Sequence, residues 1–250
     1  MTATSSQSLC CCPIVELRQY TLHPGTRETL IELFEREFVE SQEDVGIHLL
    51  AQFRDLDRPD VFTWLRGFPS MPARSAALSA FYDGPVWARH RDAANATMRT
   101  WDNVRLLRPV SPRSGISVTT ERRGAAASTG RAEIVAITIY TLVSSAVESF
   151  ARWFDAMMKP QLILSGARPI AVLESESSAN TFPRLPVREG EHAFVWIARF
   201  ADLAAHRRHV TALAASLRWS AEIKPELDRC LTAEPELWRL TETARSRTLL

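Results

Sequence analysis

Lysine is almost missing from this chain. It occurs only at Lys159 and Lys224, so nearly all of the 30 basic side chains are arginine. With abundant alanine, this points to a GC-rich bacterial coding bias more than to a chemical demand. Neither charge sign is in excess: 30 basic against 29 acidic side chains leave +1, which supplies no global field for nucleic acid or anionic membrane. Cysteine is scarce, at 4 residues, of which Cys10, Cys11 and Cys12 are consecutive and Cys230 is alone. Adjacent cysteines do not match zinc-ligand spacing, and so long a chain rarely needs a disulfide framework. They are expected to be thiols on a mobile tail. No run of about 18 apolar residues occurs, which argues against a transmembrane helix. The N-terminus lacks both a charged and an apolar signal region, so the expected location is cytoplasmic. GxGxxG, P-loop, GxSxG and HExxH patterns are all absent, which removes the commonest nucleotide, hydrolase and metalloprotease readings.

What is present is a unit written twice. IVELRQYTL (Ile14–Leu22) is matched by IVAITIYTL (Ile134–Leu142), 120 residues later. VFTWLRGF (Val61–Phe68) is matched by AFVWIARF (Ala193–Phe200), 132 residues later, as Trp87 is by Trp219. The difference in spacing places an insertion in the Ser- and Pro-rich stretch Glu174–Glu191, where the first copy has only the short RDLDRPD. Each copy reads strand, helix, strand, strand, helix. Leu30, Phe34 and Phe38 mark one helix face; Val147, Phe150, Phe154 and Met157 mark its counterpart. This is the order of the split ferredoxin-like motif. The expected fold is α+β: two tandem ferredoxin-like repeats, residues 13–110 and 132–250, joined by a linker over 111–131 and closing into an intrachain α+β barrel.

ELRQYTLHPG (Glu16–Gly25), QFRDLDRPDVFTWLRGF (Gln52–Phe68) and AFYDGPVWARHRDAANATM (Ala80–Met98) resemble the NIPSNAP family, within the dimeric α+β barrel superfamily. The resemblance covers the first half almost end to end. In the second it is carried by Tyr140-Thr141-Leu142, FVWIARF and Trp219. It implies the fold and a barrel cavity. It implies little about reaction, because the superfamily includes cofactor-free monooxygenases, haem enzymes, isomerases, cyclases and proteins that only bind.

Strand alternation divides the first repeat into two faces. Glu16, Arg18 and Tyr20, with His48, Gln52 and Arg54 and with Phe62, Trp64, Arg66 and Phe68, form a mixed set. The opposite faces are branched aliphatic. The mixed set is expected inside the barrel. There the second copy replaces Arg18 and Arg66 by Thr138 and Ala198 while keeping Tyr140, Phe194 and Trp196, which predicts one asymmetric pocket with a polar first-half wall and an apolar second-half wall. In it His48 is the candidate general base, Tyr20 a hydrogen-bond donor, and Arg18 and Arg66 the holders of a carboxylate or oxyanion. Phe62, Trp64, Trp87, Gln52, Tyr140 and Trp196 are the candidate substrate lining. Packing roles stand beside these: Arg54 and Arg66 as surface residues with buried stems, Trp64 and Trp87 as core. His90 is expected on an exposed helix face, and so are His206 and His209 in AAHRRHV. No cofactor or metal is expected, although haem on His48 or His90 stays open.

The leading expectation is a cofactor-independent enzyme acting by acid–base or oxyanion chemistry, as an isomerase, cyclase, lyase or oxygenase. Its substrate would be partly apolar and carboxylated or aromatic. A non-catalytic ligand-binding or protein-interaction scaffold and a haem-binding barrel enzyme remain alternatives. The expected partner is a small molecule rather than nucleic acid or membrane, with a homodimer open.

Overall fold

A computed structural model describes residues 8–10, 12–122 and 133–250. The β-rich segments form β1 (Ser8–Cys10), β2 (Ile14–Leu22), β3 (His48–Asp55), β4 (Val61–Phe68), β5 (Met98–Pro109), β6 (Ser117–Arg122), β7 (Ile134–Thr141), β8 (Pro169–Ser175), β9 (Ala193–Phe200), β10 (Glu236–Glu242) and β11 (Arg247–Leu249). Eight of them close into a barrel in the order β10-β3-β4-β2-β5-β8-β9-β7, with β7 pairing β10. Each repeat supplies four adjacent strands, and the seams are β5–β8 and β10–β3. The expected tandem ferredoxin-like barrel is therefore the fold.

The duplication extends to register. Ile14 faces Phe68 and Thr21 faces Val61, as Ile134 faces Phe200 and Thr141 faces Ala193. A bulge between Leu49 and Ala51 recurs between Pro169 and Ala171. The first helix of each repeat widens into a π turn, at Phe34–Phe38 and Phe154–Met158. Those extra residues keep Leu30, Phe34 and Phe38 buried in one copy and Phe150, Phe154 and Met158 in the other, so the second stripe ends at Met158 instead of Met157. The second helices, Met71–Tyr82 and Leu203–Ala214, are both capped by a short polar side chain: Ser70 accepts from the Ala73 amide and Asp202 from that of Ala205.

Val15, Leu17, Phe53, Leu65, Leu107, Ile137, Ile139, Leu173, Val195, Ile197 and Leu240, drawn from both repeats, pack inside the barrel. The expected facing is thus inverted. The aliphatic set lines the interior, and the mixed set lies on the outer face, under the helices. An eight-stranded barrel has an interior only wide enough for its own side chains, so the large aromatics and arginines are placed in the thicker sheet–helix layer. The bulge also breaks the alternation assumed for β3. Leu50 and Ala51 both enter the inner cluster, and His48 pairs with Gly67, on the opposite side from Gln52 and Trp64.

Two further expectations change. The stretch 111–131 is not linker throughout: β6 pairs with β1 and β11 in a small sheet, and Ile116, Val118 and Leu249 join the inner cluster. Residues 123–131 lie outside the described residues, as does Cys11. Nor is the start of the chain a simple tail, since Ser8–Cys10 is a strand and Cys12 is buried in the inner cluster. Cys12 sits so close to Gly67 that a Cβ there would overlap its sulfur, which explains a glycine in mid-strand.

Candidate functional sites under the two sheets

Each repeat has a cleft between its sheet and its helices, and the predicted site residues divide between the two. Arg18, Tyr20, Phe62, Trp64, Arg66, Gln52 and Trp87 meet in the first; Tyr140 and Trp196 line the second. The single mixed pocket inside the barrel does not exist, because the barrel wall separates these groups. His48 stands apart from both sets, half-buried at the edge of β3.

In the first cleft Glu16 is the hub. Its Oε2 accepts from Arg18 Nη1 at 2.7 Å and from Arg66 Nε at 2.7 Å, and its Oε1 accepts from Arg74 Nε at 2.6 Å. All four side chains are 0% exposed. Burial by itself would raise the Glu16 pKa, but the Arg66, Arg18 and Arg74 guanidiniums hold it far below the usual carboxylate range. Arg18 Nε donates to Tyr20 Oη at 3.0 Å, and Arg66 Nη1 to Gln42 Oε1 at 3.3 Å. Arg18 and Arg66 lie 5.4 and 5.0 Å from the Trp64 ring centre. Arg66 is therefore not a surface residue with a buried stem, whereas Arg54 is half-exposed and pairs with Glu28. Only about 30 Å³ of free space remains, among Tyr20, Gln42, Trp64, Tyr82 and Trp87.

The roof of this cleft comes from the other repeat. The β8–β9 connection, the predicted insertion, folds back so that Arg74 Nη1 donates to Asn180 Oδ1 at 3.0 Å and to Thr181 Oγ1 at 3.2 Å. Phe182 is buried and stacks on Tyr82 at 5.9 Å.

Register equates positions across the copies; Tyr20 is kept as Tyr140, and the charged and amide members of the first cluster are replaced. Ala136 stands for Glu16, Thr138 for Arg18, Val172 for Gln52 and Ala198 for Arg66. Helix alignment puts Leu162 at the place of Gln42 and His206 at that of Arg74. The space so released is a cavity of about 240 Å³, whose walls include Ala136, Thr138, Leu162, Trp196, Phe200 and Trp219.

Thr138, Lys224, Asp228 and Glu234 add polar groups to this wall, and three further polar side chains, Tyr140, His206 and His209, are buried in it. Trp196 Nε1 donates to Tyr140 Oη at 3.2 Å, which leaves the Tyr140 proton free for another acceptor. Burial pushes the Tyr140 pKa up, so the phenol stays neutral and donates. His209 Nδ1 lies 3.2 Å from the Ser165 carbonyl. A carbonyl can only accept, so Nδ1 carries the proton and Nε2 keeps its lone pair. His206 is 4% exposed, and its Nδ1 has no partner among the described residues. Burial lowers both imidazole pKa values. Both histidines pack against Phe200, at 5.0 and 5.4 Å, and are not on a solvent face as expected. The adjacent Arg207 and Arg208 mark a solvated face in AAHRRHV, which hides that the two histidines share the buried one. His90 is half-buried and 3.4 Å from Glu37.

A wider groove of about 700 Å³ runs along the β5–β8 seam. Several of its charges pair with one another, Arg108 with Glu174 and Arg105 and Arg188 with Glu191. Among the described residues no group of three or more His, Cys, Asp or Glu is arranged to hold a metal ion, and no helix is long and apolar enough to cross a membrane.

Residues 15–112 match the NIPSNAP family model. The first repeat is similar to the NIPSNAP family over nearly its whole length. No curated protein sequence matches the chain. Among solved structures, a candidate monooxygenase from Lactobacillus acidophilus NCFM is 14% identical, with TM-score 0.55 over 96% of this chain and 99% of that one. A candidate monooxygenase from Fusobacterium nucleatum is 9% identical, with TM-score 0.57 over 97% and 99%. An anthrone oxidase-like protein is 14% identical, with TM-score 0.55 over 93% and 92%. At these identities the likeness establishes the fold along the whole chain, so the NIPSNAP-like unit and its diverged partner together form one barrel of a known kind.

Proposed function

We propose that the chain is a small-molecule enzyme whose substrate occupies the second cleft. The reading rests on one observation: a cavity of about 240 Å³, apolar over most of its wall, that gathers the Tyr140 hydroxyl and two buried imidazoles. A few placed polar groups in an apolar cleft are the usual make-up of such a site. The substrate class is a flat, partly aromatic ketone or phenol with one acidic C–H or O–H. His209 Nε2, or His206, takes that proton, and Tyr140 donates to the oxygen on which charge develops. Trp196, Trp219 and Phe200 hold the ring. The resulting carbanion can be reprotonated elsewhere, eliminate, cyclise or react with dioxygen. The names of the solved relatives, candidate monooxygenases and an anthrone oxidase-like protein, favour the last. This route uses side chains alone and moves the acid–base role from His48 and Tyr20 to the second-cleft groups His209 or His206 and Tyr140.

The test is deuterium exchange at the acidic carbon of anthrone-type ketones and phenols in D2O, followed by NMR, with oxygen uptake measured in parallel. Wild-type protein is expected to exchange. Ala136→Leu, which fills the cavity, should abolish exchange, and His209→Gln or Tyr140→Phe should slow it by about a hundredfold. Exchange that survives Ala136→Leu would sink the reading. A Soret band on the purified protein would favour the haem alternative instead.

A further inference from the structure

We propose that the first cleft is a second, separate binding site, for a small carboxylate held by Arg18, Arg66 and Arg74 beneath the β8–β9 connection. Three fully buried guanidiniums share one carboxylate, Glu16, and no other carboxylate pairs with them among the described residues. Arginine does not lose its proton, and buried charge is costly when uncompensated, so the cluster carries two positive charges that a bound anion would offset. The donors for that anion are identifiable. Nη2 of Arg18, of Arg66 and of Arg74 is buried without a partner among the described residues, and so are the Gln52 amide nitrogen and Trp64 Nε1. Native proteins rarely leave that many buried donors unmet in one place.

The class of anion follows from shape. Guanidinium forks match a planar pair of oxygens. The free space of about 30 Å³ adjoins the cluster through Tyr20, Gln42 and Trp64, and it has room for about two water-sized groups, on the scale of the smallest carboxylates. Apart from Tyr82 the rest of its wall is apolar, with Phe34, Phe38, Phe81 and Trp87 its largest members, which suits a short carbon tail and not a hydrated inorganic ion. The same Arg74 that binds Glu16 also holds Asn180 and Thr181, so the connection from the second repeat covers the anion and must lift to admit it.

Titration calorimetry of the full chain with sodium acetate, formate, phosphate and chloride, in a zwitterionic buffer, tests this. Acetate or formate should bind saturably at one site per chain. Arg74→Met should weaken binding by about tenfold or more, through loss of a charge-assisted donor. Asn180→Asp places an internal carboxylate 3.0 Å from Arg74 Nη1 in a half-exposed loop, and should compete with acetate even if Arg74→Met does not fold. Ala136→Leu in the other cleft should leave acetate affinity unchanged, which separates this site from the proposed catalytic one. No saturable carboxylate binding, binding of phosphate or chloride alone, an unaltered affinity in Asn180→Asp, or an equal loss in Ala136→Leu would each overturn the assignment.

Discussion

The two clefts share strand register, bulge, π turn and helix cap, yet one holds about 30 Å³ of space and the other about 240 Å³. The aromatic frame does not explain this, because Tyr20, Trp64 and Phe68 have Tyr140, Trp196 and Phe200 as counterparts. The cause is the centre. Glu16, Arg18, Arg66 and Arg74 fill the first cleft, and Ala136, Thr138, Ala198 and His206 leave the second hollow. The carboxylate cannot be lost by itself, since that strands three buried guanidiniums; the second copy lacks the carboxylate and all three guanidiniums together. The comparison shows that the same fold can give either an ionic core or a cavity, according to a handful of positions.

The largest expected effect breaks the ionic side of the comparison. Glu16→Ala leaves three guanidiniums without their shared acceptor and should cost about 3–5 kcal/mol. For a chain of this size that is a fall in Tm on the order of ten degrees. Converting the whole centre, with Glu16→Ala, Arg18→Thr, Arg66→Ala and Arg74→His together, should cost less than Glu16→Ala alone and should open a cavity in the first cleft. Denaturant midpoints for the two variants decide it. A combined variant less stable than the single one would mean that the cluster acts through packing and not through charge.

The folded Glu16 is depressed far below the roughly 4.3 of an unfolded glutamate, so its stabilisation is fully present above that pH and drains away as pH falls below it. The second cleft adds an earlier limb. His206 and His209 have lowered pKa values when folded, so protonation favours the unfolded chain and stability begins to fall below about pH 6.5. Unfolding of wild type from pH 8 to pH 3 should show both limbs. The combined first-cleft variant should shrink the lower one, leaving the part due to Glu28, Glu40 and Asp57, and His206→Gln with His209→Gln should remove the upper. By the same displacement, any proton-transfer rate that depends on His209 should have its acid limb below pH 6.5, and a limb at or above the ordinary histidine value would remove His209 from that role.

The fold was legible because its evidence is periodic: a strand repeated at 120 and 132 residues, and an apolar stripe repeated with it. The components of the site were partly legible, since Arg18, Tyr20, Trp64, Arg66 and Gln52 do meet. Their location was not, because alternation separates two faces without saying which is inside. That decision belongs to barrel width, which admits Val15 and Leu17 and not Trp64 beside Arg66. His48 was misplaced by a bulge that leaves no mark in composition. Arg74 was missed although a signal existed: the 132-residue spacing that equates Trp87 with Trp219 also equates Arg74 with His206. Following that spacing along the whole helix would have found both. The roof supplied by Asn180–Phe182 could not be read at all, since a long polar loop carries no address for where it docks.

The smallest expected effect asks which contacts hold that roof. Arg184 pairs with Asp83 at 2.6 Å, but the two side chains are 57% and 62% exposed, so water and salt screen the pair. Arg184→Ala should change stability by no more than about 1 kcal/mol, and added salt should erase even that. Phe182→Ala removes a buried ring from between the loop and Tyr82 and should cost at least about 2 kcal/mol. Hydrogen exchange of the amides over 176–192 then separates two ways of closing the first cleft. If Arg184→Ala loosens the loop as much as Phe182→Ala does, the roof is held from its rim. If only Phe182→Ala loosens it, the roof is anchored over the arginine cluster, and the second repeat's insertion serves the first repeat's cleft.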